Sequence, residues 1–285
     1  MNFLIVGSNG MAGHMIACYL KERGHSVIGF AREQSPVCET VCGDALDRES
    51  IRKAVGSQHF DYVVNCVGVL NRAVDANLPD GIFLNSVFPH ELSNICRQSG
   101  ARLIHLSSDC IFSGRHGGYL ESDIPDETSY YGRTKWLGEV TGENELTFRT
   151  SIVGPEIKRD GVGLFHWFMS QNNYANGFTK VIWSGVTTLE LAKAVEAAAK
   201  QKLSGLYHLC NNEGISKYDL LNLFNKYCRQ NSIEIKPRYM PVSDHSLICT
   251  RDDFDFFVPG YEQMVQEMGE WMRSHGDLYQ QYRGI

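Results

Sequence analysis

The sequence predicts an α/β protein: a doubly wound parallel sheet followed by a smaller mixed α/β lobe. Three observations carry this. Short apolar runs alternate with helical patterns through the first half of the chain, the order that builds a parallel sheet covered by helices. The first run, NFLIV, opens directly onto GSNGMAG and then a helical pattern. The run over residues 62–66 is apolar without alternation, as a strand buried on both faces requires.

The elements follow in order. A strand is expected over residues 2–6 and a helix over 11–23, with Gly24 where a helix stops. Strands at 27–30 and 37–41 come next, then a helix at 47–55 with Asp47 as its N-cap. After the buried strand at 62–66 a long helix spans 82–99 and a strand 102–106. Helical character returns after SYYGRTK and runs through Val140. The second half is more mixed: a strand at 146–148, a helix at 187–200, a strand at 205–209, a serine-capped helix at 216–228 and a last helix at 262–272. The expected division is a dinucleotide-binding domain of residues 1–152 plus about 178–203, and a substrate lobe of about 153–177 plus 204–285.

Composition narrows the function classes. A chain of 285 residues, 43% hydrophobic and 21% charged, suits a soluble globular protein of one large or two small domains. No apolar run approaches the ~20 residues of a membrane span, and MNFLIVGSNG lacks the basic flank and long apolar stretch of a secretory signal. A cytoplasmic protein with no membrane partner is expected. The net charge of −6 and the lack of a Lys/Arg cluster argue against nucleic acid. The nine cysteines are scattered and form no CxxC, so buried reduced thiols are expected, with neither a disulfide framework nor a metal site.

The glycine turn carries the first chemical signal. Gly7, Gly10 and Gly13, with Asn9 and Met11 between them, stand between a strand and a helix. Such glycines permit a tight turn, let the backbone approach a pyrophosphate, and let the helix pack closely on the sheet. The helix N-terminus then faces the phosphates. No acid ends the second strand, and Arg32 follows it in GFAREQ. An arginine there suits a 2′-phosphate, so NADPH is the expected cofactor; Glu33 leaves NADH open.

Tyr131 and Lys135 are four residues apart and share one helix face. An ammonium there is expected to lower the phenol's pKa from ~10 toward neutrality, which tunes a proton donor for a carbonyl. Tyr130 has only Thr134 at that offset and is assigned to packing or the pocket rim. Upstream, the strand at 102–106 ends in SSDCIFSG. Its serines lie where open α/β sheets place ligands.

These motifs, with FRTS and GLYHLCN…SKYDL behind them, resemble the dTDP-4-dehydrorhamnose reductase family of extended short-chain dehydrogenase/reductases over nearly the whole chain. The resemblance implies a Rossmann domain and reduction of a 4-keto-6-deoxyhexose carried on a nucleotide. It assigns Ser108 to the ketone oxygen, Tyr131 to its protonation, and Lys135 to the tyrosine and the nicotinamide ribose. It places Asp44 and Ala45 at the adenine, Asn65, Cys66, Val67 and Gly68 along the cofactor, and Asn85 near the active site. Ser108, Asp109, Arg149, Ile152 and His245 fall at the substrate. An aromatic of the Phe165–His166–Trp167 stretch would stack on the base.

Three positions depart from the family pattern. Ile152 stands where an aromatic is common, Val67-Gly68-Val69-Leu70 replaces an AAYT-like stretch, and His245 replaces an arginine at the diphosphate. A UDP-2-acetamido-2,6-dideoxy-4-hexulose is therefore a candidate substrate beside a dTDP-4-dehydrorhamnose-like one. Two rival readings keep the fold: an epimerase holding NAD tightly, and a non-catalytic dinucleotide-binding regulatory subunit. A homodimer stays open.

Overall fold

The computed structural model describes residues 1–283. Seven strands, β1 Asn2–Val6, β2 Ser26–Ala31, β3 Glu39–Cys42, β4 Tyr62–Asn65, β5 Arg102–Leu106, β6 Glu145–Arg149 and β7 Gly205–His208, form one parallel sheet in the order β7-β6-β5-β4-β1-β2-β3. Every residue of β4 and β6 is buried, which is why both read as unbroken apolar or paired-polar runs. The order reverses between β1 and β4, and the crevice outside the carboxyl ends at such a point is the ligand site of open α/β sheets.

Local signals set the helix ends. Met11–Glu22 starts at the glycine turn and stops before Gly24, whose φ is +79°. The Asp47 side chain accepts from Glu49 N–H at the start of Arg48–Gly56. The Thr187 and Ser216 hydroxyls cap Thr188–Gln201 and Lys217–Cys228 in the same way. Helix Met11–Glu22 packs on Thr188–Gln201, so Met15, Ile16, Leu191 and Val195 join Phe3 and Ile5 in the larger core. Leu4, Val6, Phe30, Val63 and Leu92 fill the opposite face of the sheet. Each such side chain contributes roughly 1.5–3 kcal/mol when fully buried.

The structure differs from the sequence reading in three places. The long helix expected over 82–99 is broken into Leu78–Ile82, a π turn Phe83–Val87, and Phe88–Ser99. Pro89 has no N–H to give the carbonyl four residues back, that of Asn85, so the ladder shifts to i→i+5 there. Gly205–His208, expected in the smaller lobe, is the edge strand of the large sheet. Val181–Trp183, expected in the larger domain, instead pairs with Ile215–Ser216 and Ser243–Asp244 in a small sheet. Strands this short are assigned to a sheet by their tertiary pairing, which residue pattern does not encode.

All nine cysteines are free thiols, and Cys42 is exposed rather than buried. No helix among the described residues is long and apolar enough to cross a membrane.

Candidate active site

The glycine turn forms as its spacing requires. Gly7 has φ +87° and donates to the Phe30 carbonyl at 2.8 Å, and Gly10 N–H donates back to the Gly7 carbonyl at 3.0 Å. A Cβ on Gly13 would collide with that same carbonyl, so the third glycine seats the helix on the turn. Beside the turn lies a cleft of about 800 Å³. Gly7, Asn9 and Gly10 form its floor, Arg32 and Glu33 leave the end of β2, and Asp44 and Ala45 follow β3. Cys66, Val67, Gly68 and Val69 form the wall after β4. The sequence reading thus brings together residues from four strand ends.

Several expected cofactor residues stand behind this wall rather than in it. Asn65 is fully buried; its Oδ1 accepts from Val67 N–H at 3.1 Å and its amide lies 3.1 Å from His105 Nδ1. Asn85 is fully buried too, and holds Val69 and Thr134. Both fix the backbone that lines the cleft. Met11 lies under Gly163, its Sδ 3.2 Å from where a Cβ would stand there.

At the carboxyl end of β5, Ser108 caps the turn Asp109–Ile111: its Oγ accepts from Cys110 N–H at 3.0 Å and donates to Asp109 Oδ1 at 3.2 Å. Helix Tyr130–Leu137, capped by Ser129, carries Tyr131 to face Ser108. Tyr130 is 53% exposed. One expectation fails here. Burial pushes the Tyr131 phenol up, reinforced by Cys110 and Asp109 and opposed only by Ser108, with no lowering by Lys135. The lysine is engaged elsewhere: Nζ donates to the Leu106 carbonyl at 2.7 Å and lies beside Gly68. Burial pulls Lys135 down to about 8, while Glu139 and Cys66 support its charge.

Arg149, expected at the substrate, is 3% exposed and committed internally. Its Nε and Nη2 donate to the two oxygens of Glu139, each at 2.8 Å, and Nη1 donates to the Glu121 carbonyl at 3.2 Å. Ser107 Oγ also donates to Glu139, at 2.7 Å. Glu139 therefore ties the ends of β5 and β6 to the segment after the tyrosine helix. Sequence reading missed it, although an arginine inside a buried strand signals a buried carboxylate partner. Phe165, a candidate for base stacking, is fully buried edge-on against Phe224 and Tyr282, while Trp167 is exposed.

The smaller lobe closes the other side. His245 stands against Gly114 of the SSDCIFSG loop, and its Nδ1 is buried without a partner. Ile152 is half-buried in a short pairing with Val186–Thr187. Lys217, also missed, lies with its ammonium 4.9 Å from the Trp183 ring centre. Burial lowers it to about 8 against the charge of Asp109.

Residues 1–246 match the model of the RmlD substrate binding domain family. The chain is 27% identical over 241 residues to a probable low-salt glycan biosynthesis reductase of Haloferax volcanii, covering 77% of each. It is 26% identical over 228 residues to a dTDP-4-keto-6-deoxy-D-glucose reductase of Streptomyces niveus, covering 78% of this chain and 76% of that one. Among solved structures, a dTDP-4-dehydrorhamnose reductase of Bacillus anthracis in complex with NADP superposes with a TM-score of 0.79 at 16% identity, covering 94% of this chain and 99% of that one. With the glycine turn, the reversed strand order and the serine, tyrosine and lysine near the carboxyl end of β5, this match shows that the chain belongs to the RmlD substrate binding domain family of extended short-chain dehydrogenase/reductases.

Proposed function

We propose that the protein reduces the 4-keto group of a nucleotide-linked 4-keto-6-deoxyhexose, with NADPH as the reductant, in deoxysugar or surface polysaccharide synthesis. The observation that carries this reading is the meeting of Ser108 and Tyr131 at the β5 end, with Lys135 on the cleft side beside Gly68. The cleft suits a dinucleotide: Gly7 and Gly10 let backbone approach a pyrophosphate, and Arg32 offers a cation at the β2 end. When bound, the cofactor supplies a hydride to the ketone carbon. The chain's residues do the rest. Ser108 donates to the ketone oxygen, and Tyr131, kept protonated by burial, gives that oxygen its proton. The one Ser108 hydroxyl proton is given to Asp109 in the free protein and turns to the ketone oxygen when substrate binds, where it and Tyr131 meet the developing charge. The lobe carrying Lys217 and His245, with Ile152 at its border, holds the nucleotide sugar.

The test is NADPH oxidation against a panel of 4-keto-6-deoxy nucleotide sugars generated in situ. Activity with a UDP-2-acetamido-2,6-dideoxy-4-hexulose exceeding that with dTDP-4-dehydrorhamnose would support the larger substituent next to Ile152. Exclusive turnover of the dTDP sugar rejects it. Purified protein that retains NAD and consumes no NADPH would favour an epimerase instead.

A further inference from the structure

The cofactor cleft has a wall that the strand ends do not supply. Lys158, from the segment after Val153, lines it together with Gly7, Gly10 and Arg32. A second cavity of about 330 Å³ adjoins the cleft and shares Asn9, Glu33 and Lys158 with it. Lys158 thus stands where the two spaces join, next to the residues that follow β2.

This position is built. Glu156 Oε1 accepts from Gly163 N–H at 2.8 Å and closes the loop between them. Tyr282 Oη accepts from Glu156 N–H at 3.3 Å, and Gln281 donates to the Glu156 carbonyl. Gly163 rests on Met11 of the glycine-turn helix. On the facing side, Asn9 Nδ2 donates to the carbonyls of Glu33 and Gln34 at 3.0 and 3.3 Å, tying the segment after β2 to the glycine turn. Two clasped loops therefore face each other across the junction, one carrying Arg32 and the other Lys158.

We propose that Lys158 is a specificity-determining cation that grips the 2′-phosphate of NADPH from the smaller lobe. This rests on the dinucleotide reading above. The charges give the reason. Arg32 is followed at once by Glu33, which also lines the cleft, and the two formal charges cancel next to a dianionic phosphate. A second cation restores the balance in favour of the phosphate, and its contact is a charge-assisted one.

The experiment measures calorimetric binding of NADPH, NADH, 2′,5′-ADP and 5′-AMP to wild-type protein and to Lys158→Ala, with Lys180→Ala, an exposed lysine that lines neither cavity, as the control. Lys158 is exposed in a loop, and an unchanged melting temperature confirms the fold. The expected result is a loss of about tenfold for NADPH and 2′,5′-ADP, with NADH and 5′-AMP unaffected and Lys180→Ala silent. Equal weakening of NADPH and NADH would move the contact to the pyrophosphate and overturn the assignment. Unchanged 2′,5′-ADP binding would overturn it as well, leaving the dinucleotide reading intact. Wild-type protein that binds none of the four ligands would overturn the dinucleotide reading, and the Lys158 assignment with it.

Discussion

Asn85 grips Val69 by both of its backbone groups: Oδ1 accepts from Val69 N–H at 2.8 Å and Nδ2 donates to the Val69 carbonyl at 2.9 Å. The same Nδ2 reaches Thr134 Oγ1 at 3.2 Å. One buried amide therefore couples the cleft wall after β4 to the helix that carries Tyr131 and Lys135. The π turn at Phe83–Val87 is what presents it there.

Asn85→Leu removes the partners of two backbone groups, each worth about 1–3 kcal/mol when left unsatisfied. The variant should melt several degrees lower and bind NADPH and NADH more weakly by similar factors, because the wall serves both. Unchanged affinity for both cofactors would show that the wall stands without this brace.

Tyr131→Phe and Tyr130→Phe should separate cleanly. Loss of a positioned proton donor costs roughly 10²–10⁴ in rate, so Tyr131→Phe should lose kcat while cofactor binding persists. Tyr130 is mostly exposed. Its phenylalanine variant should stay within about twofold of wild type, the usual reach of a surface substitution. Full NADPH oxidation by Tyr131→Phe would mean that the group is not an acid, and inactivity of the wild type with every keto sugar would favour a scaffold.

The sheet and the glycine turn were legible because short-range pattern encodes them: apolar runs and glycine spacing. What pattern could not show is which polar groups are spent inside the protein. Arg149 reads as a substrate contact until Glu139 is seen to take both edges of its guanidinium. Asn65 and Asn85 read as cofactor ligands until Val67 and Val69 are seen to use them. Lys135 reads as the partner of Tyr131, but burial dominates the tyrosine and the ammonium goes to Leu106. The Lys158 loop was invisible for a related reason. Its place over the cleft depends on a clasp to Gln281 and Tyr282, more than a hundred residues away in the chain.

The Glu139–Arg149 pair makes a prediction in two parts. Glu139→Gln leaves a buried guanidinium uncompensated and should destabilise the protein by about 3–5 kcal/mol. The double variant Glu139→Gln/Arg149→Met removes both charges and should recover much of that loss. Glu139 also supports the charged form of Lys135, whose pKa burial has lowered to about 8. Without Glu139 the lysine should lose its proton at lower pH, so the alkaline limb of kcat/KM for the double variant should shift down from near pH 8. A limb that does not move would mean that Lys135 titrates independently of Glu139.

His14 should make the fold acid-sensitive. The ring is fully buried, Nδ1–H donates to the Gly10 carbonyl at 2.9 Å, and Tyr279 Oη lies 3.0 Å from Nε2. A carbonyl only accepts, so Nδ1 carries the proton, and Nε2 is left to accept from the tyrosine in the neutral ring. Burial lowers the pKa from 6.5 to about 4. The unfolded chain therefore binds a proton in the window between those values while the folded chain does not, and stability falls as pH drops through it. A shift of that size corresponds to about 3 kcal/mol, fully lost once the pH is below about 4. His14→Gln carries no titrating group, so denaturant unfolding should show the gap between wild type and variant closing by about that amount from pH 7 to pH 4. Protonation falls on Nε2 and turns the acceptor that faces Tyr279 into a donor, while the Nδ1–H bond to the Gly10 carbonyl favours the charged ring and is kept. Parallel stability profiles for the two proteins between pH 7 and pH 4 would show that His14 does not govern the acid limb.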